Sequence, residues 1–154
     1  MTNKEKLGQI GEKLVANLLN ATLSENKYDT VKDMVELNGT NVEVKTQNRH
    51  PRGFFTINVE HKVNMNKCLT VDRLIFVEYD ASNIVKIFEC TDRSYEFIQT
   101  KPTTREPMGR VMAGFPINKM TLLKSIDDAK LASEMRSLSG SKFFSNNSQY
   151  SAAY

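Results

Sequence analysis

The sequence has few residues that could build a zinc site or a nucleotide site. Its cysteines and histidines, Cys68, Cys90, His50 and His61, have no spacing that closes a four-ligand zinc site. Both cysteines adjoin apolar residues, so we expect them to be buried thiols. Neither histidine lies in a recognisable nuclease motif. Walker A and G-x-G-x-x-G patterns are absent, so we predict no nucleotide cofactor.

Long apolar runs are lacking as well. No run approaches the roughly 20 residues that cross a bilayer, and the N-terminal MTNKEKLGQIGEK has no apolar signal core. We therefore predict no membrane partner and a cytoplasmic location, which would be the host cytoplasm if the protein is viral. The 154 residues are 40% hydrophobic and 25% charged with a net charge of +3, which suits a globular protein that can bind an acidic partner such as nucleic acid.

The N-terminal pattern predicts an amphipathic helix. Thr2 and Glu5 form a capping box that opens a helix of about 20 residues. Apolar and small residues follow at helical spacing, and the predicted buried stripe is Leu7, Ile10, Gly11, Leu14, Val15, Leu18 and Leu19. Glu12 lies at the border of this stripe.

The rest of the chain predicts strands followed by a second helix. We expect a hairpin over 30–47, a strand in GFFTINVEHK, and a hairpin formed by RLIFVEYD and IVKIFEC. FPINKMTLL is consistent with a short strand, and a helix capped by Asp127 or Ser125 should end near Leu138. The predicted class is α/β or α+β. The predicted domain covers 1–138, and a flexible tail rich in serine and asparagine covers 139–154.

The stretch DMVELNGTNVEVKTQ in the first hairpin carries an E-x-K pair, Glu43 and Lys45. Residues two apart on a strand share a face, so this pair lies opposite Val42 and Val44. The same spacing recurs at Glu25/Lys27, Glu60/Lys62 and Asp128/Lys130. Only the pair at 43 and 45 follows a turn with an aspartate, Asp33, on the preceding strand.

The turn decides whether Asp33 and Glu43 meet. A two-residue turn at Asn38-Gly39 would pair Met34 with Glu43 and send Asp33 to the opposite face. A three-residue loop, Leu37-Asn38-Gly39, would pair Asp33 with Glu43. A shared acidic site requires the second arrangement, with Gly39 in a left-handed conformation, or another register shift nearby, and Asp29 is the reserve candidate.

The motifs GQIGEKLVANLL, Asp33 and EVKTQ together resemble the PD-(D/E)xK nuclease superfamily, especially small Holliday junction resolvases and related phage and restriction-type endonucleases. The resemblance extends to about Cys90, and Lys32 stands where the motif's proline would be. It implies a restriction-endonuclease-like αβββαβ core, in which helices flank a mixed central sheet.

The resemblance also implies roles for individual residues. Glu12, Asp33, Glu43 and the backbone carbonyl of Val44 would hold Mg²⁺, with Mn²⁺ as a substitute. Lys45 would be the catalytic lysine, and Gln47 matches a polar position of some branches. The implied function is a metal-dependent DNA endonuclease, acting as a homodimer on substrates that include branched, Holliday junction-like DNA.

Alternatives remain for the neighbouring residues and for the whole chain. Arg49, His50 and Arg52 follow the motif directly and could contact DNA phosphates, or they could form a simple exposed loop. The chain could be a catalytically inactive nuclease-fold protein that binds nucleic acid. It could also be a small viral-type regulatory or interaction protein in which EVK is only a hairpin face.

Overall fold

Two sheets and three helices form the part of the chain described by the computed structural model, residues 1–25 and 32–139. In chain order the elements are α1 (Asn3–Leu19), β1 (Thr22–Leu23), β2 (Met34–Val35), β3 (Asn41–Asn48), β4 (Phe54–Asn58), α2 (Lys62–Thr70), β5 (Arg73–Tyr79), β6 (Ile84–Cys90), β7 (Glu96–Gln99), β8 (Val111–Pro116), β9 (Thr121–Asp127) and α3 (Ala129–Leu138). The reserve candidate Asp29 and the tail after residue 139 lie outside the described residues.

The larger sheet has six strands in the order β1-β2-β3-β5-β6-β9. β3 and β5 run parallel, whereas the other neighbours in this sheet are antiparallel. The parallel pair requires a long crossover, and this crossover contains β4 and α2. The predicted α+β class with a mixed sheet is confirmed. β4 belongs to the smaller sheet. Without it, the elements from α1 to β5 follow the order helix, three strands, helix and strand.

Helices α1 and α3 cover one side of the larger sheet. Leu7 and Val15 of α1 and Met135 of α3 join Val42 and Val44 in one buried cluster. α1 begins as predicted, with the Thr2 hydroxyl accepting a hydrogen bond from the Glu5 N–H at 3.1 Å. Its predicted stripe is confirmed, since every member is buried or packs partly buried against this side of the sheet.

The other side of the larger sheet is covered by the smaller sheet, β4-β8-β7, and by α2. The sequence did not predict α2, and the strand expected in GFFTINVEHK ends at Asn58. Glu60 therefore lies in a turn and Lys62 begins a helix, so the E-x-K pair Glu60/Lys62 is not on a strand. The helix is capped by an uncommon residue, His61, whose Nδ1 accepts from the Asn64 N–H at 3.2 Å.

The C-terminal third contains more strand than predicted. FPINKMTLL spans the end of β8, a 3-10 turn at Ile117–Lys119 and the start of β9. Helix α3 begins at Ala129 with Asp128 as its N-cap, so the caps predicted at Asp127 or Ser125 were wrong. Both cysteines are free and buried as predicted. None of the helices in the described chain is long and apolar enough to span a membrane.

Candidate metal and nucleic-acid site

The hairpin between β2 and β3 has the three-residue loop that the site hypothesis requires. Met34 pairs with Val42, and the Glu36 N–H donates to the Thr40 carbonyl at 2.9 Å. Leu37, Asn38 and Gly39 form the loop, with Gly39 at a φ of +86°, a conformation that glycine adopts without steric cost. This register places Asp33, just before β2, across from Glu43.

Asp33 is attached to β3 on either side of Glu43. Its backbone N–H donates to the Val42 carbonyl at 2.9 Å, and its Oδ2 accepts the Val44 N–H at 2.8 Å. These bonds hold the carboxylate beside β3 and leave Oδ1 facing the neighbouring helix α2. Val44 thus contacts Asp33 through its N–H, and the role of its carbonyl as a metal ligand stays a prediction.

Glu43 is a fully buried carboxylate, with 0% of its surface exposed. Its Oε2 lies 3.1 Å from Lys45 Nζ and its Oε1 lies 3.1 Å from Lys67 Nζ. Neither ammonium contact has the geometry of a hydrogen bond, so both oxygens lack a well-directed donor. Burial and the nearby charge of Asp33 raise the pKa of Glu43 to about 7. This residue is therefore not on a solvated hairpin face.

Lys67 is the site residue that the sequence did not predict. It is only 7% exposed, and its Nζ lies 3.4 Å from Asp33 Oδ1 in addition to its contact with Glu43. Burial disfavours the ammonium, but the carboxylates of Asp33 and Glu43 outweigh burial and raise the pKa of Lys67. No sequence signal marked it, because it lies on the helix that was not predicted.

Glu12 reaches the same cluster from α1. Burial and the negative charge of Asp33 raise the pKa of Glu12 to about 7, while Lys67 and Lys45 lower it. Glu12 and Asp33 both line a cavity of about 350 Å³ beside α1, which connects the cluster to solvent. α1 can approach β3 closely because Gly11 faces Thr46, and a side chain at Gly11 would collide with the Thr46 hydroxyl.

The donor chemistry of this cluster fits a hard divalent cation. Carboxylate oxygens are the preferred ligands of Mg²⁺, and the buried Glu43 oxygens are poorly satisfied by hydrogen bonds. Within the described residues, no three acidic, histidine or cysteine side chains are already arranged around one cation position. The ammonium of Lys67 lies between two of the proposed ligands instead.

Gln47 connects the two sheets. Its Nε2 donates to the Phe54 carbonyl at 2.9 Å, and its Oε1 accepts from the Thr56 N–H at 2.8 Å. It shares the face of Glu43 and Lys45, as the alternation predicts. These bonds to β4 give Gln47 an architectural role, and a role in catalysis stays a prediction.

The predicted basic loop lies at the far end of β3. Arg49 and Arg52 line a cavity of about 530 Å³ together with Lys86, Lys119 and the buried Glu78. His50 is turned into the loop, where its Nδ1 accepts the Arg52 N–H at 3.0 Å. Burial and the charge of Arg52 lower the pKa of His50 and so favour its neutral form.

No known protein-family model matches the chain. The search of curated proteins found no matching sequence either.

Proposed function

We propose that this protein is a metal-dependent nuclease that hydrolyses DNA phosphodiester bonds. The observation that carries the proposal is that Asp33, Glu43 and Lys45 lie together on one hairpin, with Glu12 of α1 close enough to interact with Asp33 and Lys45. Three carboxylates and a lysine in this arrangement match the residues on which the resemblance to PD-(D/E)xK nucleases depends. Of the other pairs of this spacing, Glu60/Lys62 lies at the start of α2 and Asp128/Lys130 at the start of α3, so neither is on a strand.

The carboxylates and the lysine have separate roles in this proposal. Glu12, Asp33 and Glu43 would hold Mg²⁺ or Mn²⁺, which when bound lowers the pKa of a coordinated water and stabilises negative charge on phosphate. Lys45 keeps part of its side chain in solvent, 28% exposed, while its Nζ contacts Glu43. Its ammonium can therefore orient the attacking water and neutralise a phosphoryl oxygen.

The basic cavity would position the DNA. Arg49, Arg52, Lys86 and Lys119 outnumber the acidic residues that line this cavity, Glu78 and Glu96. Arginine and lysine contacts to phosphate position a duplex without reading its sequence. The proposed partners are DNA and a second copy of the chain, so that two sites cut two strands, and the proposed location is the cytoplasm.

Cleavage assays with matched variants test this function. Full-length protein should cut labelled duplex, single-stranded, flap or four-way junction DNA with Mg²⁺ or Mn²⁺ and lose this activity with chelator. Lys45→Ala should lower the rate by about 100-fold or more, as expected for a group that assists proton transfer. Lys62→Ala, in the E-x-K pair outside the cluster, should leave the rate unchanged. Cleavage that survives chelator, or an active Lys45→Ala variant, would contradict the proposal.

A second candidate is a nucleic-acid-binding protein that does not cut. The observation that favours it is the Lys67 ammonium, which already pairs with both Asp33 and Glu43. Binding of these DNAs without cleavage in either metal would support this candidate over the nuclease.

A further inference from the structure

The ammonium of Lys67 lies where two acidic side chains converge. Its Nζ is 3.1 Å from Glu43 Oε1 and 3.4 Å from Asp33 Oδ1. The other oxygen of each carboxylate is already engaged, since Asp33 Oδ2 accepts the Val44 N–H and Glu43 Oε2 contacts Lys45. Lys67 therefore contacts Asp33 Oδ1 and Glu43 Oε1, which are the carboxylate oxygens that another cation would need.

We propose that Lys67 is a built-in counter-ion that occupies the divalent-cation position between Asp33 and Glu43 and must leave before a metal ion can bind. This inference rests on the proposed nuclease function and adds an internal competitor to it. Mg²⁺ binds oxygen at about 2.0–2.1 Å, so a cation held by these two oxygens would lie close to the present ammonium. The repulsion between the two positive charges prevents both from occupying the position.

The proposed departure of Lys67 would move its side chain rather than its helix. Arg93 holds the C-terminal end of α2 through bonds to the Cys68 carbonyl at 2.6 Å and the Val71 carbonyl at 2.9 Å. The backbone at Lys67 is therefore anchored, so the proposed movement is a rotation of the flexible four-carbon side chain. Rotation of this side chain would expose Asp33 Oδ1 and Glu43 Oε1 together.

An internal competitor has a consequence for affinity. If the ammonium occupies the position about 90% of the time, the apparent metal affinity is about 10-fold weaker than the intrinsic affinity. The metal-free protein, in turn, keeps its buried carboxylates paired with positive charge, which avoids the cost of unpaired buried charges.

Calorimetric titration of the full chain with Mn²⁺ tests the competition. Lys67→Met should bind Mn²⁺ about 10-fold more tightly than the wild-type protein. Lys62→Met removes an exposed lysine from the same helix and should bind like the wild type. Equal or weaker binding by a folded Lys67→Met variant, with measurable wild-type binding, overturns the inference and leaves the metal-dependent function intact. Absence of Mn²⁺ binding in every folded variant overturns both.

A measurement on the wild-type protein covers the case in which the variant does not fold. Amine-specific labelling followed by mass spectrometry reports the accessibility of each lysine. Labelling of Lys67 should be slow without metal and should accelerate when Mn²⁺ is saturating, because the ammonium is released to solvent. Lys62 should label equally in both conditions. Unchanged labelling of Lys67 at saturating Mn²⁺ overturns the inference.

Discussion

Glu43 and Glu78 are both buried glutamates on the same side of the larger sheet, at opposite ends of neighbouring strands. Glu43 is 0% exposed and Glu78 is 6% exposed. Glu43 lies on β3 and Glu78 on the adjacent β5, where it pairs with Gln47 of β3. Burial raises the pKa of both carboxyls, but the second cause differs: the charge of Asp33 raises it further at Glu43, whereas the charge of Lys86 lowers it at Glu78.

The difference shows what distinguishes a candidate metal site from an isolated buried acid. Glu43 has a carboxylate neighbour, Asp33, delivered by the hairpin, together with two ammonium groups. Glu78 lies in a basic cavity among cations. Burial alone is therefore insufficient, because a divalent cation is held by several oxygen ligands at once.

The largest expected effect is the difference in cleavage rate between substitutions at Glu43 and at Glu78. Glu43→Gln should lower metal-dependent cleavage by about 100-fold or more, because it removes a ligand and the partner of Lys45. Glu78→Gln should leave metal affinity and the cleavage rate at saturating DNA nearly unchanged. Mn²⁺ titration and single-turnover cleavage on both variants check this, and equal losses would remove the distinction between the two regions.

The contact between α1 and β3 provides a second test. Gly11→Ala should destabilise the protein by about 1–3 kcal/mol, because the added methyl group meets Thr46 in a packed contact. It should also weaken metal binding by displacing the adjacent Glu12. Gly8→Ala, where the methyl group meets nothing within 4 Å, should stabilise α1 by about 0.5–1 kcal/mol. Urea unfolding compares them, and equal stabilities would show that the close approach is not required.

The acidic cluster should also control how stability depends on pH. The pKa values of Glu12 and Glu43 are raised from 4.5 to about 7, so the folded state binds protons more tightly than the unfolded state. The metal-free protein should therefore lose stability as pH rises from about 4.5 to about 7, by on the order of 2 kcal/mol for each of the two carboxyls.

Urea unfolding across this pH range is the measurement, with Glu60→Gln as an exposed control. Glu43→Gln should reduce the dependence by about half, because Glu12 keeps its own raised pKa, whereas the control should leave the dependence unchanged. Stability that rises over this range would show that the carboxyls are not held protonated by the fold.

The smallest expected effect concerns two glycines with the same backbone conformation. Gly39 has a φ of +86° and Gly53 a φ of +80°, and alanine at either position should cost about 1 kcal/mol. Only Gly39→Ala should weaken Mn²⁺ binding, because its loop sets the register of Asp33 and Glu43. Gly53→Ala should affect DNA binding beside the basic cavity. Equal effects on Mn²⁺ affinity would show that the loop does not control the site.

Much of the site was predictable because its signals are local. The capping box at Thr2 and Glu5 located α1, the alternation around Glu43 located β3, and the turn residues limited the register to two choices. Helix α2 and Lys67 were not predictable, because His61 is an uncommon N-cap and the polar residues between Val63 and Leu69 weaken the helical pattern. The broken apolar runs after Thr91 likewise concealed β7 and most of β8, two of the three strands of the smaller sheet.

By itself, the sequence determined the elements that carry the acidic residues, because capping and side-chain alternation depend on neighbours within a few residues. Only the tertiary structure decided that β3 and β5 pair in parallel, that the loop at Gly39 brings Asp33 to Glu43, and that Lys67 lies between them. Those outcomes depend on packing between segments far apart in the chain. They therefore leave no periodic pattern in the sequence that local reasoning can detect.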